Sequence, residues 1–395
     1  MLDPDQIVYL DNNATTQLDP AVVEEMLPFL TRYYGNPSSG YRFGAQVRAA
    51  IELARERVAA LLSCEPAEIL FTSGGTESNN AAVNSALQLQ PDRRHIVTTA
   101  VEHSATYRHC QDLEKRGYSI TFVAVDGEGH LDVTQLEEAV SAETAIISAM
   151  WANNETGVLF PVEDIGRIAR EKRVLFHTDA VQAAGKLPIR IVASGATSCA
   201  LSAHKLHGPK GVGALYINRR SAFQPMLIGG GQENGRRSGT ENVAAIIGFG
   251  KAAELALQTI DEEQNRVRAL RDRFENALLD QVPRSFVNGD RAARLPNTSS
   301  MSFDGVESDG ALMLLDRQGI CCSAGSACRS GSLEPSHVLR AMSLSEARLR
   351  GSLRFSFSRF NTEIEVDRSL EIIPAAIAKV RGISGGAAVL AATPR

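Results

Sequence analysis

The chain has 395 residues, of which 44% are apolar and 22% charged, with a formal net charge of -5. At about 150 residues per domain that length implies two domains, and so average a composition excludes general disorder and dependence on disulfide staples. The acidic balance and a pI near 6.0 argue against a basic stripe for phosphate backbones, so small-molecule chemistry is expected and nucleic acid binding is not.

The opening residues Met1-Leu2-Asp3-Pro4-Asp5 carry acid where an export signal would carry Lys or Arg. No apolar run reaches the roughly 18 residues of a membrane span. The six cysteines (64, 110, 199, 321, 322 and 328) form no Cys-x-x-Cys pair, which reads as free thiols. A soluble cytoplasmic protein without a membrane partner is expected.

In chain order, the first clear element is a helix over residues 46–62, where Val47, Ile51, Ala54, Val58, Leu61 and Leu62 share a face. Short apolar runs then alternate with amphipathic stretches: 69–71, 96–100, 120–125, a helix over 133–140, 145–150, 174–176, 199–201 and 214–217. This alternation is the α/β pattern, and continuous apolar strands indicate a mostly parallel sheet buried on both faces. A charged helical stretch over 261–281 reads as a connector. Strands near 300–303 and 353–357 and a helix near 365–380 suggest a smaller α+β unit, and the Gly/Ala-rich tail 385–395 reads as loose.

The residues able to do chemistry follow the strand-like runs, beyond whose carboxyl ends open α/β sheets bind ligands. Lys205, in Ser202-Ala203-His204-Lys205-Leu206-His207-Gly208-Pro209-Lys210-Gly211, suits a Schiff base to pyridoxal phosphate; a solvated loop lysine is the alternative. Asp179, in His177-Thr178-Asp179-Ala180-Val181-Gln182, suits the pyridinium nitrogen of that cofactor or a helix N-cap, with Gln182 one turn on for the ring oxygen. Thr72-Ser73-Gly74-Gly75-Thr76-Glu77-Ser78-Asn79 offers backbone N–H groups at a helix start for the phosphate, joined by the hydroxyls of Thr76 and Ser202. His103 could stack on the ring and move protons, and Asn154 could touch ring oxygen and substrate carboxylate, although packing and turn chemistry explain such residues too. Arg354, a charge inside an apolar strand, requires an anionic partner, and a bidentate grip on an amino-acid carboxylate is the functional version. Cys328 lies among small residues, Ser323-Ala324-Gly325-Ser326-Ala327-Cys328-Arg329-Ser330, as an accessible thiol beside a positive charge.

These segments together closely resemble the NifS/IscS cysteine desulfurases, class V pyridoxal-phosphate enzymes of fold type I. The likeness runs from Tyr9-Leu10-Asp11-Asn12-Asn13-Ala14-Thr15-Thr16 to Arg354-Phe355-Ser356, and Met150-Trp151-Ala152-Asn153-Asn154-Glu155-Thr156-Gly157 is more similar to the nitrogen-fixation branch. The resemblance implies a large cofactor-binding domain over 14–258 and a small domain from 1–13 and 259–395 carrying the Cys328 loop at about 323–332. It implies that Lys205 holds the cofactor as an imine and moves the Cα proton. Asp179, Gln182 and His103 would tune the ring, and Gly75, Thr76, Ser202 and His204 would face the phosphate. Thr240 would reach the partner subunit's phosphate in a homodimer, and Asn154 and Arg354 would grip the substrate.

Cys328 would take sulfur from L-cysteine as a persulfide, leaving L-alanine, and pass it to an iron–sulfur scaffold protein, with nitrogenase maturation as one setting the resemblance implies. No resident metal is implied; Cys328 is the residue that would meet a cluster in passing. The alternatives are selenocysteine lysis, another class V reaction, or a non-catalytic sulfur-carrier or scaffold subunit. The sequence departs from the family at Arg329 and at Cys321-Cys322. Those two cysteines read either as resolving partners for an oxidised Cys328 or as small core residues of a strand.

Overall fold

The computed structural model describes residues 6–324 and 336–391, with side chains to residue 383. Thirteen strands occur among the described residues: β1 (Val8–Tyr9), β2 (Ile69–Thr72), β3 (His95–Thr99), β4 (Ser119–Val123), β5 (Thr144–Ser148), β6 (Leu175–Asp179), β7 (Ser198–Ser202), β8 (Gly213–Ile217), β9 (Ser285–Val287), β10 (Thr298–Phe303), β11 (Ile320–Cys321), β12 (Ser323–Ala324) and β13 (Ser352–Ser356). Strands β2 to β8 form one sheet in the order β2-β8-β7-β6-β5-β3-β4. Every pairing from β4 across to β7 is parallel, and β8 runs antiparallel to both β7 and β2. From β3 the chain first adds β4 on one side and then β5 on the other, which makes β3/β5 the switch point that opens a crevice beyond the strand ends.

Burial explains why these segments read as unbroken apolar runs. All residues of β2, β3, β5, β7 and β8 are buried, as expected of strands covered by helices on both faces. The helix Arg42–Leu62 buries Val47, Ile51, Ala54, Val58, Leu61 and Leu62, the face expected from sequence, and stops at Ser63 in the left-handed region (φ 56°), whose N–H caps the Ala59 and Ala60 carbonyls. Asp132 starts the helix Val133–Ala139 by accepting from the Thr134 and Gln135 N–H groups.

The second sheet has the order β12-β13-β10-β9 and is antiparallel throughout. Its core gathers Phe274, Phe303, Phe355 and Phe357 with Leu270, Leu315 and Ile377. The connector is more broken than its charge pattern suggests: Ile260–Glu262, a π-helical turn Glu263–Val267, then Arg268–Gln281. Nor does the last helix end near residue 380. It runs from Glu363 to Ala391, so most of the tail expected to be loose is helical, extension of a formed helix through alanines being cheaper than nucleation. Residues 392–395 lie outside the described residues.

Helix Arg268–Gln281 is fastened to β10 by a buried fork. Both guanidinium NH groups of Arg294 donate to Glu275 at 2.7 Å, and the Ser299 hydroxyl adds a third bond of 2.7 Å. Both charged side chains are at most 1% exposed. Glu275→Ala would strand the Arg294 charge, and urea unfolding should show a loss of about 3–5 kcal/mol; a loss under about 1 kcal/mol would mean that water reaches the cation.

The N-terminal segment joins the two sheets. β1 pairs in parallel with β11, and Asp11 bridges to Ser356 at the end of β13. Asn13 then donates to Thr298 Oγ1 at 2.8 Å, and Thr16 exchanges bonds with the backbone of His204 and His207. A short strap thus touches both the small sheet and the loop after β7.

Candidate active site

Five strand ends deliver side chains to one cavity of about 180 Å³. β2 leads into Gly75 and Thr76, β3 into His103, β5 into Asn154, β6 into Asp179 and Gln182, and β7 into Ser202, His204 and Lys205, all of which line it. The expected convergence of these residues is therefore present. Thr240 is not among them: it is exposed and borders a neighbouring cavity with Phe71, Thr72 and Gly211. Cys328 and Arg329 lie outside the described residues.

Lys205 closes a single 3-10 turn, Ala203–Lys205, directly after β7. Its ammonium donates to the carbonyls of Asn13 and Ala14, the latter at 2.7 Å, so the N-terminal strap aims it. Asp179 ends β6 and is buried. One oxygen accepts the Val181 N–H at 2.9 Å, a turn-capping bond, and the other accepts Asn79 Nδ2 at 2.6 Å. The expected capping bond is therefore present, and the side chain also lines the cavity. Behind it, His177 Nε2 meets Asn79 Oδ1 at 2.8 Å while Nδ1 meets the Ser198 hydroxyl at 2.9 Å. Burial pushes the His177 pKa down to about 4, keeping the ring neutral as the relay requires.

His103 accepts the Ala105 N–H on Nδ1 at 3.2 Å and so caps the helix Ser104–Lys115 while facing the cavity. Burial lowers its pKa despite the neighbouring Asp179. His204 is held by the Thr15 hydroxyl at 3.1 Å and pushed down to about 4, first by burial and then by Lys205. The buried Arg354 has its anionic partner within the chain: one NH₂ group donates to Asp11 Oδ1 at 2.8 Å and the other to the Asn154 carbonyl at 2.9 Å. Its Nε is buried without a hydrogen-bond partner among the described residues.

A model of the "Aminotransferase class-V" family matches residues 8–368. The chain belongs to the aminotransferase class-V family. It is 53% identical over 378 residues to cysteine desulfurase 2 of Trichormus variabilis, covering 96% of this chain and 95% of that one. It is 50% identical over 378 residues to the cysteine desulfurase NifS of Azotobacter vinelandii, covering 95% and 94%. A solved structure titled NIFS-LIKE PROTEIN superposes with a TM-score of 0.89 at 38% identity, over 94% of this chain and 100% of that one. The architecture is the fold-type I arrangement of the class.

Class-V enzymes of this kind use pyridoxal 5'-phosphate, and the residues here fit that group. Gln182 Oε1 and Asn154 Oδ1 are buried without hydrogen-bond partners among the described residues, on side chains that line the cavity, and buried polar atoms are normally satisfied by protein, ligand or water. At the phosphate end, Gly74 sits at φ 155°, ψ -179°, a conformation essentially confined to glycine. A Cβ on Gly75 would come within 2.8 Å of Val181. Side chains would thus crowd the start of helix Gly75–Leu89, where free N–H groups favour an anion.

Four contributors escaped the sequence reading: Asp11, Asn79, His177 and the Asn13–Ala14 carbonyls. Asp11, Asn79 and His177 stand in segments singled out for other residues, but nothing in their spacing marks them as partners. The Asp11–Arg354 pair spans 343 positions and the Asn79–Asp179 pair spans 100.

Cys321 lies in β11, paired with Tyr9. Cys322 packs against the small core, and burial raises its thiol well above the ordinary range. Cys322 stands between β11 and β12 rather than in a strand, and the reading that pairs it with Cys328 involves a residue outside the described ones. The 325–332 part of the expected loop lies outside the described residues, and Ser323–Ala324 is strand.

Proposed function

We propose that this class-V protein is a cysteine desulfurase that removes sulfur from L-cysteine as a persulfide on Cys328 and leaves L-alanine. The observation that carries the proposal is the meeting, at one cavity, of a strap-aimed Lys205 and an Asp179 held by Asn79, with Arg354 behind it, bonded to the carbonyl of the cavity residue Asn154. β12 ends at Ala324, paired with Leu353, and Ser323 pairs with Arg354. Cys328 follows β12 by four residues in the chain.

When bound, pyridoxal phosphate supplies an electron sink for the bond changes at the substrate carbons. The protein's part is positional and protonic. Lys205 is placed to hold the cofactor covalently and then to move the Cα proton. Asp179, fixed by Asn79 and His177, presents a carboxylate to the ring nitrogen, and Gln182 presents its amide to the ring oxygen. Thr76, Ser202, His204 and the Gly75 backbone meet the phosphate. Arg354, with Asn154, takes the substrate carboxylate, and its unused Nε provides a donor for it. His103, which lines the same cavity, would be available to pass a proton.

The domain division at 14–258 and 259–395, with 1–13 joining the latter, is part of this reading, and the confinement of the two sheets to 69–217 and 285–356 supports it. A homodimer is also part of it. Leu27, Leu30, Tyr34 and Ile228 are exposed apolar side chains, and Thr240 is exposed and lies outside the lining of the Lys205 cavity, in keeping with contact to a partner subunit. The free state of the five described cysteines agrees with a cytoplasmic setting. The sulfur acceptor is an iron–sulfur scaffold, and the 50% identity to a NifS favours nitrogenase maturation.

The test is product analysis. Purified protein should absorb near ~420 nm and, with L-cysteine and a reductant, form alanine and sulfide in equal amounts. Formation of an α-keto acid in place of alanine would make it a transaminase.

A further inference from the structure

We propose that Glu155 is a positioning residue: with Ser336 it fastens the downstream end of the Cys328 segment beside the substrate-binding groups, and this bond sets the rate of sulfur transfer. The inference rests on the reading of Cys328 as the sulfur acceptor and adds to it residues that take part in neither cofactor nor substrate binding.

The two ends of the segment are held differently. Upstream, the hold is backbone pairing of β12 with β13, next to Arg354. Downstream, the first described residue after the segment is Ser336, whose buried hydroxyl donates to Glu155 Oε2 and accepts the Leu339 N–H at 3.1 Å. His337 follows, with Nε2 on the Glu102 carbonyl at 2.9 Å and its ring 4.6 Å from that of Tyr107. Glu102 and His103 are adjacent, and so are Glu155 and Asn154. The downstream anchor is thus built on the loops after β3 and β5 that deliver His103 and Asn154 to the cavity.

A carboxyl at this place is otherwise costly. Glu155 is 2% exposed, and burial pushes its pKa up to about 7 in spite of Arg354 nearby. Its backbone is already fixed without the side chain, since the Glu155 and Thr156 N–H groups both donate to Asn153 Oδ1. Turn formation therefore does not need the acid, and the one side-chain hydrogen bond it makes among the described residues is the one to Ser336. Nucleophile and substrate sulfur must meet within a few tenths of an ångström, and misplacement of about 1 Å by a remote change can cost on the order of 10²-fold.

The experiment compares Glu155→Ala, Glu155→Gln, Ser336→Ala and the Glu155→Ala/Ser336→Ala double variant as holoenzymes. In both single alanine variants kcat for alanine formation should fall about tenfold or more, with the cofactor absorbance and the cysteine KM within twofold of the parent. Glu155→Gln, whose amide oxygen can still accept the Ser336 hydroxyl, should recover most of the rate. The double variant should be no slower than Ser336→Ala, because that change already removes the Glu155 bond together with the Leu339 cap.

Unchanged kcat in Ser336→Ala, or additive losses in the double variant, would overturn the proposal. Should Glu155→Ala fail to fold, Ser336→Ala decides alone by the same criterion. Cys328→Ala run in parallel separates the two readings. Full activity there defeats the desulfurase mechanism, whereas an inactive Cys328→Ala beside a fully active Ser336→Ala defeats only the anchor.

Discussion

Lys205→Ala should purify without covalently held pyridoxal phosphate and with alanine formation reduced by about 10³-fold or more. The expectation follows from where the Nζ atom is kept. A lysine on a solvated loop loses little when replaced, but Lys205 stands at the end of β7 with its ammonium drawn to two carbonyls of the N-terminal strap. That arrangement removes rotamer freedom before the cofactor arrives, which is how a site lowers the entropic cost of reaching its reactive geometry. The measurement is borohydride reduction followed by peptide mapping. Parent protein should yield one labelled peptide containing Lys205 and the variant none.

The competitor that makes this a real test is Lys186. It is buried, its pKa is pushed down to about 8 by burial, and its ammonium donates to the Gln182 carbonyl at 3.2 Å. A desolvated lysine of that kind is a competent imine former in principle. Both lysines line a small cavity with Glu263 and Arg359, but Lys205 also lines the one with Asp179 and His103, and Lys186 does not. A labelled Lys186 peptide from the Lys205→Ala protein would show that the cofactor is held from the other side, and the assignment of Lys205 would fail.

The contrast between the two lysines also shows what the sequence makes legible. Lys205, Asp179, His103, Asn154 and the Gly75-Thr76 turn could be found because each follows an apolar run, and a parallel sheet sends successive strand ends to one edge. The period-2 and period-3.6 patterns record local physics, and local physics fixed those elements to within a few residues. The antiparallel turn of β8, by contrast, leaves no mark in an apolar run that is buried on both faces in either direction. Lys186 shows nothing in sequence because its burial depends on Glu263, 77 positions later, at a π-turn inside what reads as one continuous helix.

The support of each functional group was hidden for the same reason. Arg354 announces a need for an anion by being a charge in an apolar strand, but the sequence cannot say that Asp11 already answers it. Thr240 could be matched to a motif but not placed, since its expected partner is a second chain.

The second large effect is expected at Cys328. Cys328→Ala should keep the cofactor absorbance and the spectral change on adding L-cysteine, yet lower both alanine and sulfide formation by about 10³-fold or more. Binding is retained because Lys205, Asp179, Asn154 and Arg354 are all placed by strands and by the N-terminal strap. Turnover is lost because the step needs a thiolate: a Cys328–substrate S–S bond forms as the substrate's C–S bond breaks, the electron pair stays with the substrate carbon, and protonation there gives alanine. No other described cysteine can stand in. Burial raises the thiols of Cys64, Cys110, Cys199 and Cys322, and a thiol so raised is neither ionised nor nucleophilic near neutrality. Cys321, the least enclosed of the nearby thiols, is fixed in β11 by its pairing with Tyr9 and is also raised by burial. Quantifying alanine and sulfide together decides the matter. Alanine released at the parent rate without sulfide would mean that sulfur leaves by another route, and undiminished release of both would remove Cys328 from the mechanism.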